Sequence, residues 1–60
     1  MIEQIEKLVK NAIKANENYC STYLQAASFI KHLEKKFKKK FSVSEETEPG
    51  IRYSVIEWEN

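Results

Sequence analysis

From Ile2 to Lys40 the chain runs for thirty-nine residues without a glycine or a proline. The two residues that most readily interrupt a helix are therefore absent from two thirds of the sequence. Through this stretch Ile2, Ile5, Val9, Ala12, Asn16, Tyr19, Tyr23, Ala26, Ile30, Leu33 and Phe37 follow alternating steps of three and four. That spacing keeps side chains on one side of a helix, so residues 2–40 are expected to be helical along a single apolar stripe.

Asn16 is the one polar residue on the stripe, and it admits two readings. In the first, the chain turns at Asn16–Asn18, because asparagine is a poor interior helix former and a frequent helix-ending residue. A second helix then starts at Asn18, Ser21 or Thr22, with Thr22 and Gln25 as a capping box. In the second reading, one helix of about 58 Å continues and Asn16 occupies an a position, fixing the register of a coiled coil with another chain. The flanking positions also hold Leu8, Ile13, Cys20, Ala27 and Phe29, which makes the apolar surface too broad for a two-stranded seam. Such a surface suits a helix packed on two neighbours, and the broken arrangement is the leading reading. Either way, residues 19–40 are expected to be helical, with Tyr23, Ala26, Ala27, Ile30, Leu33 and Phe37 facing inward. The acid-first pairs Glu3–Lys7 and Glu6–Lys10 are expected to support the first helix.

From Phe41 the period changes to two. Phe41 and Val43 alternate with Ser42 and Ser44, and Pro49–Gly50 suits the central positions of a type II turn. Strands near 41–46 and 51–58 follow. If Glu48 faces Ile51, Phe41 pairs with Trp58 and Val43 with Ile56, gathering these four on one face and leaving Ile51, Tyr53 and Val55 on the other. The expected fold class is thus α+β: two amphipathic helices, or one long helix over residues 2–40, followed by a C-terminal antiparallel β-hairpin. The whole, residues 1–60, is expected to be a single small domain, helical over residues 2–40 and a hairpin over residues 41–59.

A chain this short buries only about 60% of the surface it exposes when unfolded, so its core is marginal. One cysteine and one histidine cannot supply a closed disulfide or metal site within the chain. Association, most simply a homodimer, is the remaining source of stability. Met1 leads straight into the amphipathic pattern, and no apolar run exceeds two residues, so neither a signal peptide nor a membrane span is expected. The expected location is the cytoplasm, or the host cytoplasm for a viral protein, with Cys20 reduced.

Candidate chemistry is sparse. Cys20 has no histidine at short range and reads as an inert thiol on the edge of the inward face, and His32 reads as a surface residue between lysines. Glu45 and Glu46 are strand neighbours whose carboxylates point to opposite faces and do not converge. These residues carry no catalytic constellation, and no cofactor or metal is expected. The net charge is +1, but six of the ten bases fall in Lys31–Lys40, whereas Glu45, Glu46, Glu48, Glu57 and Glu59 share the last sixteen residues with Arg52 alone.

Two functional readings follow. The leading one is a non-enzymatic protein-interaction module whose contact residues are Tyr19, Tyr23, Ile51, Tyr53, Val55 and Trp58, since seven aromatics exceed what one small core needs. Nine lysines against one arginine is what an AT-rich genome encodes, which fits an adaptor or inhibitor of phage or mobile-element origin that binds a host protein. The alternative is a nucleic-acid-binding accessory protein that contacts phosphates through Lys31, Lys35, Lys36, Lys38, Lys39 and Lys40. Against it, the cluster lacks arginine and no reading-head motif surrounds it.

Overall fold

The stripe breaks at Asn16. In the computed structural model, which describes residues 2–59, helix α1 spans Ile2–Lys14 and Asn16 takes a left-handed φ of 62°. The Glu17 N–H bonds to the Ala12 carbonyl at 2.9 Å, and the Asn16 N–H bonds to the Ile13 carbonyl at 3.0 Å. These are the 6→1 and 5→2 bonds of a Schellman motif, so two carbonyls that the helix end would orphan are satisfied. The single long helix is thereby excluded.

A second helix does not follow directly. Tyr19–Thr22 is a strand, β1, and the chain re-enters helix only through a 3-10 turn at Ala27–Phe29 and helix α2 at Ile30–Phe37. The cause lies in residue type. Asn18, Tyr19, Cys20, Ser21 and Thr22 are weak helix formers, and several are well suited to a pleated, half-buried surface. Thr22 caps no helix; its Oγ1 instead accepts the Leu24 N–H at 3.1 Å and closes a local turn. The inward assignment of Tyr23 and Ala27 is corrected accordingly, as both are exposed.

Strands β2, Phe41–Glu48, and β3, Ile51–Trp58, form the expected hairpin with the expected register: Phe41 opposite Trp58, Val43 opposite Ile56, Glu48 opposite Ile51. Gly50 has φ +80°, the value that the third residue of a type II turn requires. The sheet has three strands in the order β1-β3-β2, all antiparallel neighbours. The structure therefore shows an α+β chain, with a three-stranded sheet in place of a bare hairpin. The stabilising neighbour that a marginal hairpin needs comes from the chain itself.

Both helices lie on one face of the sheet. Ile5 and Val9 of α1, Leu33 of α2 and Ala26 of the connecting segment enclose Phe41, Ile56 and Trp58 in the core. Phe41 lies between two other rings, 6.2 Å from Phe37 and 5.5 Å from Trp58 between centroids, in tilted arrangements. Glu6 leaves Lys10 for the other helix: its carboxylate bonds His32, and reaches Lys36 Nζ at 3.3 Å. Glu34 anchors the far end, its side chain accepting the Phe41 N–H at 3.1 Å while its carbonyl accepts that of Lys38 at 2.9 Å. Lys38 takes φ 55° to close α2. One polar side chain sits deep inside. Ser54, 1% exposed, donates to the Glu45 carboxylate at 3.2 Å and accepts the N–H of buried Ala26 at 3.4 Å.

Candidate protein-interaction face

Alternation along the strands divides the sheet into two surfaces. Cys20, Thr22, Phe41, Val43, Ser54, Ile56 and Trp58 face the helices. The opposite surface carries Tyr19 and Ser21 from β1, Ile51, Tyr53, Val55 and Glu57 from β3, and Ser42, Ser44, Glu46 and Glu48 from β2. Across it, Tyr19 stands opposite Glu57, Ser21 opposite Val55, Glu46 opposite Tyr53 and Glu48 opposite Ile51. No residue of this surface belongs to the core that the helices enclose or to the side chains packed against it. Tyr19 is 54% exposed and Ile51 43%, well above the usual exposure of large apolar side chains in a folded core.

Tyr23 follows β1 directly and is 78% exposed. It shares strand parity with Tyr19 and Ser21, and continuing the β1–β3 register would set it opposite Tyr53. The Tyr53 hydroxyl donates to Glu48 Oε1 at 3.4 Å. Its pKa is raised above the ordinary 10.0, first by the negative charge of Glu48, then by burial and Glu46, with a smaller contribution from Tyr23. The phenol therefore stays a neutral donor, as a hydrogen bond to a carboxylate requires.

Five of the six sequence-derived contact residues, Tyr19, Tyr23, Ile51, Tyr53 and Val55, thus gather on or beside one open face. Trp58 does not. It is 3% exposed on the opposite surface, packed against Phe41, and cannot serve as a contact residue without unfolding. The helical period overlooks Leu8 and two acids. It sets Leu8 on the inward arc of the first helix, but the residue lies at the arc's edge, 37% exposed, beside Tyr23 and Ile51. Glu46 and Glu48 share strand parity with Tyr53 and Ile51, and this parity is the sequence signal that finds them.

The lysine cluster is divided. Lys31 and Lys35 lie one turn apart on α2 and are exposed, whereas Lys36 turns toward Glu6. Lys38, Lys39 and Lys40 belong to the turn into β2, with Lys39 partly buried. Cys20 is half-buried under α1, and burial pushes its thiol up to about 11, so the thiolate needed for nucleophilic work is scarce near neutrality. His32 is held by Glu6. Among the described residues, no cluster of His, Cys, Asp and Glu is arranged to hold a metal ion, and no helix is long and apolar enough to cross a membrane.

No family model, curated protein or solved structure matches this chain.

Proposed function

We propose that this chain is a non-enzymatic protein-interaction module that binds another protein through the outer face of its sheet. One observation carries the reading: Tyr19, Tyr23 and Ile51 are exposed on or beside the sheet face opposite the core, with half-buried Tyr53 and Val55 on the same face. Tyrosine is suited to such a role, because its ring supplies contact area at low entropic cost and its hydroxyl tolerates water before binding. A symmetric homodimer across this face is disfavoured, since it would bring together Glu46, Glu48 and Glu57 of each copy with Lys40, at the edge beside Ser42, as the one base of the same parity. The partner is therefore a different protein.

The test is site-specific photo-cross-linking in the producing cell, with benzoylphenylalanine at position 19 or 53 and, for comparison, at position 31 or 35. Cross-links to one protein from the sheet positions, lost on Val55→Glu, are the expected result. Cross-links from the α2 positions to nucleic acid, with none from the sheet, would overturn the assignment.

A further inference from the structure

β1 ends at Thr22, where it faces Ser54, but β3 continues three residues further to Ile51. A groove of about 540 Å³ opens where the missing length of β1 would lie, within the range of ordinary ligand sites. Leu8 and Ile51 contribute apolar side chains to its lining, together with Tyr23, Tyr53 and Glu48, whose carboxylate accepts the Tyr53 hydroxyl. No cation is among its lining residues. Arg52 lines a different groove with Gln25 and Glu45, and Lys7 lines another beyond Leu8.

The backbone adds a second feature. In an antiparallel sheet the N–H and C=O groups of successive residues point alternately to the two neighbouring strands. The Trp58 N–H reaches Asn18 on the β1 side at 3.1 Å, so the residues of even number in β3 face that side. Arg52 is one of them, and no strand stands beside it there. An extended peptide continuing the line of β1 would find this backbone edge next to the groove, the geometry of strand addition.

Resting on the reading of the outer face as a protein-binding surface, we infer that this groove takes the side chain of a lysine or arginine from an extended segment of the partner, laid against β3 beyond β1. Leu8 and Ile51 pack the aliphatic stem, Tyr23 and Tyr53 meet the cation with their ring faces, and Glu48 with nearby Glu46 supplies the opposite charge. An apolar side chain would fill the same walls but leave the carboxylates uncompensated. An acidic one would be repelled.

The experiment titrates the isotopically labelled full chain with capped hexapeptides of alternating valine and serine, with lysine, arginine, norleucine or glutamate at one central position, followed by amide NMR. Lysine and arginine peptides are expected to shift Leu8, Tyr23 and Ile51–Tyr53, more weakly as salt rises. Tyr23→Ala and Glu48→Gln should each loosen them by about threefold to tenfold while the unbound spectrum stays folded. Equal binding of the norleucine peptide at the same residues overturns the cation assignment and leaves the outer-face reading standing. Shifts confined to other surfaces, or no binding by any of the peptides, overturn the groove itself. Loss of cross-links from positions 19 and 53 is the separate failure of the outer face. Shifts of the groove residues on concentrating the unbound chain would identify a second copy as the occupant and also overturn the inference.

Discussion

Ser54 offers the sharpest test of how the molecule is held together. Its hydroxyl is 1% exposed and has two tasks, donating to Glu45 and accepting the N–H of Ala26, which is itself fully buried. Through that second bond the segment between β1 and α2 is tied to the central strand. Ser54→Ala removes the acceptor without adding volume and leaves the Ala26 N–H in an apolar interior with no partner. A buried donor stranded in this way costs about 1–3 kcal/mol, more than the net worth of an ordinary hydrogen bond. A sixty-residue domain has a total stability of about 3–9 kcal/mol, so this is a large fraction of it. At about 4–8 °C per kcal/mol, a 2 kcal/mol loss lowers Tm by roughly 8–16 °C. Trp58, the only tryptophan and 3% exposed, reports the transition by fluorescence during heating or urea titration. Glu45→Ala is the matched control: Glu45 is exposed, water can replace it on the hydroxyl, and a loss of about 1 kcal/mol or less is expected. If Ser54→Ala melts within about 2 °C of the parent, the hydroxyl does not hold Ala26 and the reasoning fails.

Other consequences are equally direct. Lys38 holds a left-handed φ that costs a side chain about 1–2 kcal/mol, so Lys38→Gly should stabilise by about 0.5–1 kcal/mol in urea denaturation after the extra chain entropy of glycine is subtracted. Asn16→Gly should change stability by less, because asparagine tolerates the same conformation. The Cys20 thiol, raised from 9.0 to about 11, should alkylate at pH 8 about a hundredfold more slowly than an ordinary thiol, with the rate climbing tenfold per pH unit toward pH 11; a rate matching free cysteine would refute this. Glu6 is held below its ordinary 4.5, by the hydrogen bond from His32 first and by Lys36. A depressed carboxyl stabilises the fold fully above its unfolded value and loses that contribution as pH falls through the folded one. The stability gap between the parent and Glu6→Gln should accordingly close as pH drops below 4.5, and a gap unchanged at pH 3 would contradict the pairing.

Much of the fold was legible because local and global preferences agree in most elements. Residues 2–14 combine a helical period with good helix formers, and Asn16 ends them with the left-handed turn its side chain tolerates. The hairpin register followed from a two-residue turn and from the alternation of Phe41, Val43, Ile56 and Trp58, because a one-residue slip would have set Phe41 and Val43 on the face opposite to Ile56 and Trp58. β1 was hidden by coincidence. Tyr19, Tyr23 and Ala26 continue the helical phase of the preceding residues, so the apolar period alone argued for helix where residue type argued for strand. Four residues are too few for alternation to outweigh a period sustained over thirty-nine. Only the composition of Asn16–Thr22, poor in leucine, lysine and alanine, marked the change. The pairing of β1 with β3 across more than thirty residues of chain has no local signal at all.

The candidate face shows how a grouping of residues can survive a change of local geometry. Tyr19 and Tyr23 are four residues apart, which places them together on a helix and equally on one side of an extended chain, since four is even as well as close to a helical turn. They were thus associated for a reason that the strand replaces without separating them. Trp58 is the converse case. The register that set Phe41 opposite Trp58 already assigned it to the face of Ile56, and parity alone separates it from Tyr53 and Val55. Its selection rested on residue type, the general tendency of tryptophan to anchor interfaces, and the geometry of the pleat overrides that tendency here. The same parity joins Glu46 to Tyr53 and Glu48 to Ile51, so the acidic character of the open face is as much a property of the register as its tyrosines are. A shift of β2 by one residue would bring Glu45 and Thr47 to that face and send Glu46 and Glu48 toward the helices. A slip that set Ser44 opposite Ser54 would also deprive the buried hydroxyl of its carboxylate, so that hydrogen bond and the charge of the open face depend on the same strand alignment.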